Sequence, residues 1–528
     1  MRKTVFVILT ILLTFFIFAM PPHPSLQGKL KPPHLPEHDI TPRLEVSFDP
    51  TTQTLHLLKA SQAPTSGDVK GVAILIDFSD KPHQVESSFF EDLLNGLGVD
   101  WEDEYGNTNA GSVREFFLWS SKGRLDLTFD LYGWYHAPKP YSDYVFGDYG
   151  LWKISELISD AINATDPYVD FSRYDSDGDG VVDYFLLIHA GSGAEYTGSE
   201  DDIWSHQGWV NVLTDDGVSV EKYITAPELW ENPKDMTIGV YCHEIGHLFG
   251  LPDLYDVDES SYGLGCWSLM AYGVWSGIDR MGGSPSEFDA WSKMFLQWVD
   301  PILARDSEEY HLNPSHDGEA LIVFKNGDDS LKEYFLVEYR KREAFDAFLP
   351  GEGVLIYHVD DTIANNKYEW YPGMEPSKHY KVALEQSDGR WDLELKTNRG
   401  DETDPWREGM AFMPNSTPSS NYYSEPSHIY MWVENLKEVA TIRLSLSLLG
   451  DFNLDDKVDA KDLALFSLHW GEAETSPGWN PIYDIGPRNG FSMDPFNEGE
   501  LVLESPRRID EKDLDILVRL FGMGDVSE

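Results

Sequence analysis

The sequence predicts a multidomain protein: an α/β domain first, then a β-sandwich, then a small helical module. Three observations carry that prediction. At 528 residues the chain is too long for one hydrophobic core. Its apolar pattern changes from mixed strand and helix periods to a period near two beyond about Ile302. Beyond Gly450 an acidic motif occurs twice, as Lys457-Val458-Asp459-Ala460-Lys461-Asp462-Leu463 and Arg508-Ile509-Asp510-Glu511-Lys512-Asp513-Leu514. The expected divisions are residues 1–20, 21–68, 69–301, 302–449 and 450–528.

The first division has Arg2 and Lys3 ahead of an apolar run from Thr4 to Met20, the pattern of a signal peptide. Export follows, with a secreted protein as the expectation. No small-residue cleavage site precedes Pro21 and Pro22, so an uncleaved membrane anchor is the other reading. Residues 21–68 are rich in proline and polar side chains, with short strands at Leu44–Phe48 and Thr54–Leu58, and read as a pro-segment or linker. The α/β domain opens with the buried-strand run Gly71–Phe78. Helix periods at Val113–Ser120 and Tyr149–Ala164 follow, then a strand at Val182–His189. The sandwich strands are expected at Ala320–Phe324, Tyr334–Tyr339, Gly353–Val359, Lys381–Glu385 and Val439–Leu448.

A formal net charge of -51 excludes nucleic acid, whose affinity comes from Lys and Arg displacing counterions. Aromatic residues make up 13% of the chain, which argues for packed domains rather than disorder. The only cysteines, Cys242 and Cys266, rule out a disulfide scaffold. They form one bridge or stay as two buried thiols.

The chemistry centres on His243-Glu244-Ile245-Gly246-His247. Residues four apart share a helix face, so His243 and His247 can hold one ion while Glu244 stands toward a water. Met236–Cys242 is compatible with the start of that helix, with Asp235 or Thr237 as its cap. Such a pentapeptide arises by chance in about one chain in thirty of this length. Gly250 and Asp253 narrow it roughly a hundredfold. Glycine ends the helix and turns the chain so that Asp253 reaches the metal as third ligand. Asp256, Glu259 and Glu287 are rival third ligands. The set suits a catalytic zinc, with Glu244 as general base.

His-Glu-x-x-His-x-x-Gly followed by Cys266-Trp267-Ser268-Leu269-Met270-Ala271-Tyr272 resembles the metzincin signature with its methionine turn. Aspartate as third ligand departs from the usual histidine. Gly250-Leu251-Pro252-Asp253 is in this respect similar to the immune inhibitor A-like metallopeptidases, and similarity to that group extends over about Gly71 to Leu448. The resemblance implies a metzincin-like zinc endopeptidase that cleaves proteins or peptides, with Met270 as the floor beneath the metal. It also implies that Tyr272 either donates to the tetrahedral oxyanion or is an ordinary packed tyrosine. His189 and His206 read as structural.

Asp175, Asp177, Asp179 and Asp183 sit at positions one, three, five and nine of a calcium loop with Gly180 at six, and Leu186 stands where the closing glutamate belongs. A structural calcium is expected there. Asp451, Asn453, Asp455, Asp459 and Asp462 occupy positions one, three, five, nine and twelve of another such loop, and the module resembles a dockerin. That resemblance implies a cohesin-like partner; a calcium module without a partner is the alternative. Two rival functions are a calcium-dependent surface or adhesion protein with an inactive zinc site, and a zinc amidohydrolase acting on a non-peptide substrate.

Overall fold

The computed structural model describes residues 18–26, 45–49, 54–58, 63–98, 100–102, 108–305, 307–448, 450–453, 457–473, 475–477, 483, 509 and 511–520. Most of the expected signal segment lies outside them. Its end does not: strand β1 (Phe18–Ala19) pairs antiparallel with Gln207 and His206, and Met20 is fully buried. The two strands expected in 21–68 form a hairpin, β2 (Glu45–Asp49) with β3 (Thr54–Leu58). No helix of the described residues is long and apolar enough to cross a membrane.

The first large unit is built on β4 (Gly67–Asp77). Helix α1 (Ser87–Asn95) and the short hairpin β5 (Asp100–Glu102) with β6 (Thr108–Ala110) follow. Helix α2 (Val113–Ser120) starts where Ser112 and Glu115 form a reciprocal capping box. Then come β7 (Leu125–His136), α3 (Tyr141–Val145) and α4 (Ile154–Thr165). The sequence pattern placed the start of α4 at Tyr149; Tyr149 and Gly150 instead both take positive φ, and the helix begins after that turn. Strands β8 (Phe185–Ser192), β9 (His206–Leu213) and β10 (Ser219–Leu229), with the one-turn α5 (Ala194–Thr197), complete the sheet. Its order is β1-β9-β10-β8-β4-β7. Strands β4, β7, β8 and β10 are mutually parallel, whereas β9 runs antiparallel to β10 and β1 antiparallel to β9.

Alternation along β4 explains how this sheet divides the domain. Val72, Ile74 and Ile76 point to a core shared with α4, while Ala73 and Leu75 point to the opposite core. That second core contains α6 (Ile238–Leu248), which carries the histidine motif, together with Met270 and α7 (Ala290–Leu296).

The period-two region forms two sheets as expected. Strands β11 (Asp300–Leu303), β13 (Glu319–Val323), β14 (Glu333–Arg340), β15 (Gly353–Asp360) and β16 (Val382–Leu384) make one. The other contains β12 (Glu309–Leu312), β17 (Ala411–Phe412), β18 (Tyr430–Leu436) and β19 (Ala440–Ser445). Phe335, Val337 and Ile356 meet Leu312, Val433 and Ile442 in the core between them. The outer face of the five-stranded sheet is also covered. Tyr334, Leu336, Leu355 and Tyr357 belong to the same core as α6 and Met270. The expected boundary at 301/302 falls inside β11, and one core is continuous across it.

At the C-terminus α8 (Ala460–His469) and α9 (Glu511–Leu520) share a small core with Val458 and Ile509. That core is continuous with Tyr430 and Trp432 of β18.

One buried histidine of the sandwich gives a pH prediction. His358 lies between Glu333 and Glu385, with ring nitrogens 3.0 and 3.1 Å from their carboxylates. Burial disfavours its charge, but the two carboxylates outweigh that and hold its pKa up to about 9. A raised folded-state pKa contributes stability below the unfolded value of about 6.5, and the contribution is lost as pH rises through about 9. Stability is expected to decline between pH 7 and 10 by on the order of 3 kcal/mol through this group. In His358→Gln the decline should be flatter; parallel pH profiles in urea unfolding would refute the assignment.

Candidate active site

The segment Ile238–Leu248 is helical because tertiary contacts make up for weak local capping. Thr237 sits at the N-cap, yet its hydroxyl donates to the carbonyl of Met281 rather than capping the helix. Asp235, the other expected cap, accepts the amides of Trp230, Glu231 and Asn232 in the preceding turn. The amide of Gly239 is satisfied by Gly282 O at 2.9 Å. Every residue of the helix is buried.

The expected i, i+4 pairing holds, and the rings of His243 and His247 stand at 89° with centroids 4.8 Å apart. Their Nε2 atoms are 3.2 Å apart, and Asp253 Oδ1 is 3.3 Å from each. Four tetrahedral ligands at about 2.0–2.1 Å from a zinc ion are separated by about 3.3 Å. The triangle fits that tetrahedron, with one vertex left over. Each imidazole is oriented from behind: His243 Nδ1 lies 2.9 Å from Leu269 O and His247 Nδ1 2.9 Å from Leu251 O. Donation of Nδ1–H to those carbonyls leaves Nε2 free to ligate. Burial pushes the His243 pKa down, which keeps the ring neutral. Burial opposes charge on Asp253, but the two histidines outweigh it and hold the carboxyl below its usual value.

Backbone requirements explain the glycines. Gly250 has φ +90° just past the helix end and redirects the chain toward Asp253. At Gly246 a Cβ would lie 2.6 Å from Met270 Sδ, so the helix meets the methionine turn without a side chain between them. Met270 O also accepts the amide of Leu254 at 2.8 Å, fixing the loop that carries Asp253.

The rival third ligands are placed elsewhere. Asp256 accepts hydrogen bonds from Ser260 and Ser261. Glu287 pairs with Lys293 at 2.9 Å. Glu259 does not join the histidines among the described residues. Asp253→Ala is accordingly expected to weaken zinc retention by at least about 100-fold, read as metal content after dialysis against a chelator. Unchanged content would shift the third ligand to another residue.

Glu244 is completely buried beside the triangle, and neither carboxylate oxygen has a protein partner. Burial and the charges of Asp253 and Glu195 push its pKa well up. Tyr272 is buried against Tyr255 and Tyr262, with Arg399 4.5 Å above its ring. Tyr255 was not singled out from the sequence. It is buried against Tyr272, and its phenol is pushed far up by burial first and then by the charge of Asp253. Its sole sequence signal is its position two residues after Asp253. His189 and His206 stay out of the site, bonded respectively to Ala190 O and to Trp204 O and the Tyr223 hydroxyl. Cys242 and Cys266 are both free thiols.

Residues 59–299 match the family model described as immune inhibitor A peptidase M6, catalytic domain. That stretch is similar to a peptidase M6 catalytic domain. It is 30% identical over 277 residues to the pre-pro-metalloprotease PrtV of Vibrio cholerae, covering 43% of this chain and 29% of that one. It is 32% identical over 168 residues to immune inhibitor A of Bacillus thuringiensis subsp. alesti, covering 27% of this chain and 24% of that one. The chain thus spans less than a third of the length of these relatives. The residues 243–253 that form the triangle lie inside the M6 match, and the sandwich lies beyond it.

The acidic loops are only partly assembled. Carboxylate oxygens of Asp175, Asp177 and Asp179 lie within 4.8 Å of one another. Asp183 is not among them; its Oδ2 accepts the amide of Ser176 at 2.7 Å, and burial raises its pKa to about 6. In the C-terminal loop Asp455 lies outside the described residues. Asp451 is buried there, and Asn453 falls in the turn just after it. Asp459 and Asp462 form a capping box on α8, and Asp462 Oδ1 also accepts the amides of Phe452 and Asn453.

Proposed function

We propose that the protein is a secreted zinc endopeptidase whose metal is held by His243, His247 and Asp253. The carrying observation is the near-equilateral donor triangle of 3.2–3.3 Å with an unpartnered buried carboxylate, Glu244, beside it. Zinc, when bound, supplies Lewis-acid polarisation of the scissile carbonyl and lowers the pKa of the attacking water. Glu244 takes the proton of that water and delivers it to the leaving amine nitrogen. Its lack of protein partners leaves both oxygens available for this transfer. Leu269 O and Leu251 O hold the imidazoles in the ligating tautomer, and Met270 supports the helix from below at Gly246. Tyr272 is the proposed donor to the oxyanion, and Asp175, Asp177 and Asp179 are proposed to hold a structural calcium. The C-terminal helices are read as a dockerin-like calcium module around Asp451, Asn453, Asp455, Asp459 and Asp462, with a cohesin-like partner as its proposed binder.

The reading is tested with purified protein, by elemental analysis and digestion of denatured casein. One zinc per chain and chelator-sensitive cleavage are expected. Absence of cleavage in the zinc-loaded protein would overturn the endopeptidase.

A further inference from the structure

A second acidic group lies in the segment that follows β16, away from every loop the sequence singled out. Carboxylate oxygens of Asp388, Asp401 and Asp404 come within 4.8 Å of one another. Asp404 is only 1% exposed. Its Oδ2 accepts Trp267 Nε1–H at 3.0 Å and the amide of Asp401 at 2.9 Å, while its Oδ1 has no partner. A buried carboxylate oxygen without a donor is costly to leave uncompensated.

The surroundings do not supply the missing positive charge. Thr403 Oγ1 lies 2.6 Å from both Asp388 Oδ2 and Asp401 Oδ1, yet a hydroxyl has one proton to donate. One of those contacts therefore sets two lone pairs against each other. Asn398 Nδ2 donates to Asp401 Oδ2 at 3.0 Å, and Arg390, largely exposed, reaches Asp388 Oδ2 at 3.5 Å. The cation paired with this group among the described residues is the peripheral Arg390. Burial and the neighbouring carboxylates raise the Asp404 pKa to about 7, the response of an anion short of a counter-charge.

We propose that Asp388, Asp401 and Asp404 form a calcium site that fastens residues 387–405 to the methionine turn. The donor set is all oxygen, which selects a hard cation. Calcium accepts several carboxylate oxygens in flexible geometry, whereas magnesium demands a near-ideal octahedron and keeps most of its waters, so a set of three carboxylates on one loop segment suits calcium. The ion acts through Trp267, three residues before Met270. Cys266 donates its amide to Arg399 O at 2.7 Å. At Gly400, φ +114°, a Cβ would meet Trp267 Nε1 at 2.6 Å. The segment thus meets the turn at Arg399, Gly400 and Asp404.

The test uses the full-length protein, treated with a calcium-selective chelator and titrated with calcium or with terbium, whose emission the adjacent indole of Trp267 sensitises. Wild type is expected to hold one more calcium equivalent than D388N/D401N and D404N, and to give saturable, calcium-displaceable terbium emission that both variants lose. D175N/D177N should keep that emission. Equal calcium content and emission in D388N/D401N and wild type would overturn the site. Should the double variant fail to fold, absence from D175N/D177N of any saturable emission excited through tryptophan overturns it equally.

Discussion

Glu244→Gln is expected to lower kcat for casein hydrolysis by about 10²–10⁴-fold while the protein keeps its zinc. The substitution preserves the shape of the side chain and removes only its capacity to accept a proton. Glu244 is not part of the donor triangle, so the histidines and Asp253 should remain as they are. Both of its oxygens lack protein partners, so glutamine breaks no existing hydrogen bond. A fall in rate with unchanged metal content and unchanged melting temperature isolates the chemistry. Equal activity in the variant would refute Glu244 as the base.

Arg340→Met is expected to destabilise the protein by about 3–5 kcal/mol, read from urea unfolding. Arg340 is fully buried and grips Asp346 through two parallel contacts of 2.7 and 2.8 Å. Its third nitrogen reaches Glu338 Oε1 at 3.2 Å and Trp267 O at 3.3 Å. Glu338 in turn pairs with Lys293 of α7 at 3.2 Å, and Lys293 with Glu287. This chain of charges crosses from the sandwich to the methionine turn. Methionine replaces the volume but leaves Asp346 without its cation inside the protein. A change under about 1 kcal/mol would show that the network tolerates the missing charge. Zinc binding and the E244Q phenotype do not depend on this outcome.

The two variants mark the boundary between what was legible in the residues and what was not. The helix at 238–248 and the pairing of His243 with His247 follow from local geometry, because i and i+4 share a face whatever the fold around them. Gly250 ends that helix as its lack of a side chain permits. Four of the five strands expected in the sandwich fell within two residues of their expected ends, since alternation is a property of each strand alone, whereas β11, β12, β17 and β18 were not anticipated. Alternation also placed Glu338 and Arg340 on one face of β14, but a charged face in a strand ordinarily meets water. Only packing against α7 and Trp267 made it an interior.

The third ligand shows the same division. Spacing alone left Asp253, Asp256, Glu259 and Glu287 as candidates, because any of them lies within reach of a metal once the chain turns back. Tertiary contacts decided among them by occupying Asp256 with Ser260 and Ser261 and Glu287 with Lys293, leaving Asp253 Oδ1 3.3 Å from both imidazoles. The acidic composition behaves likewise: the Asp175 loop is contiguous and visible in the sequence. Asp388, Asp401 and Asp404 converge only because Gly400 lets the chain close on Trp267. The sequence by itself determined the reactive pentapeptide and the helix that displays it, both products of short-range geometry. The tertiary structure decided which carboxylate stands beside the two histidines and which are buried as counter-charges, since that depends on contacts between residues distant along the chain.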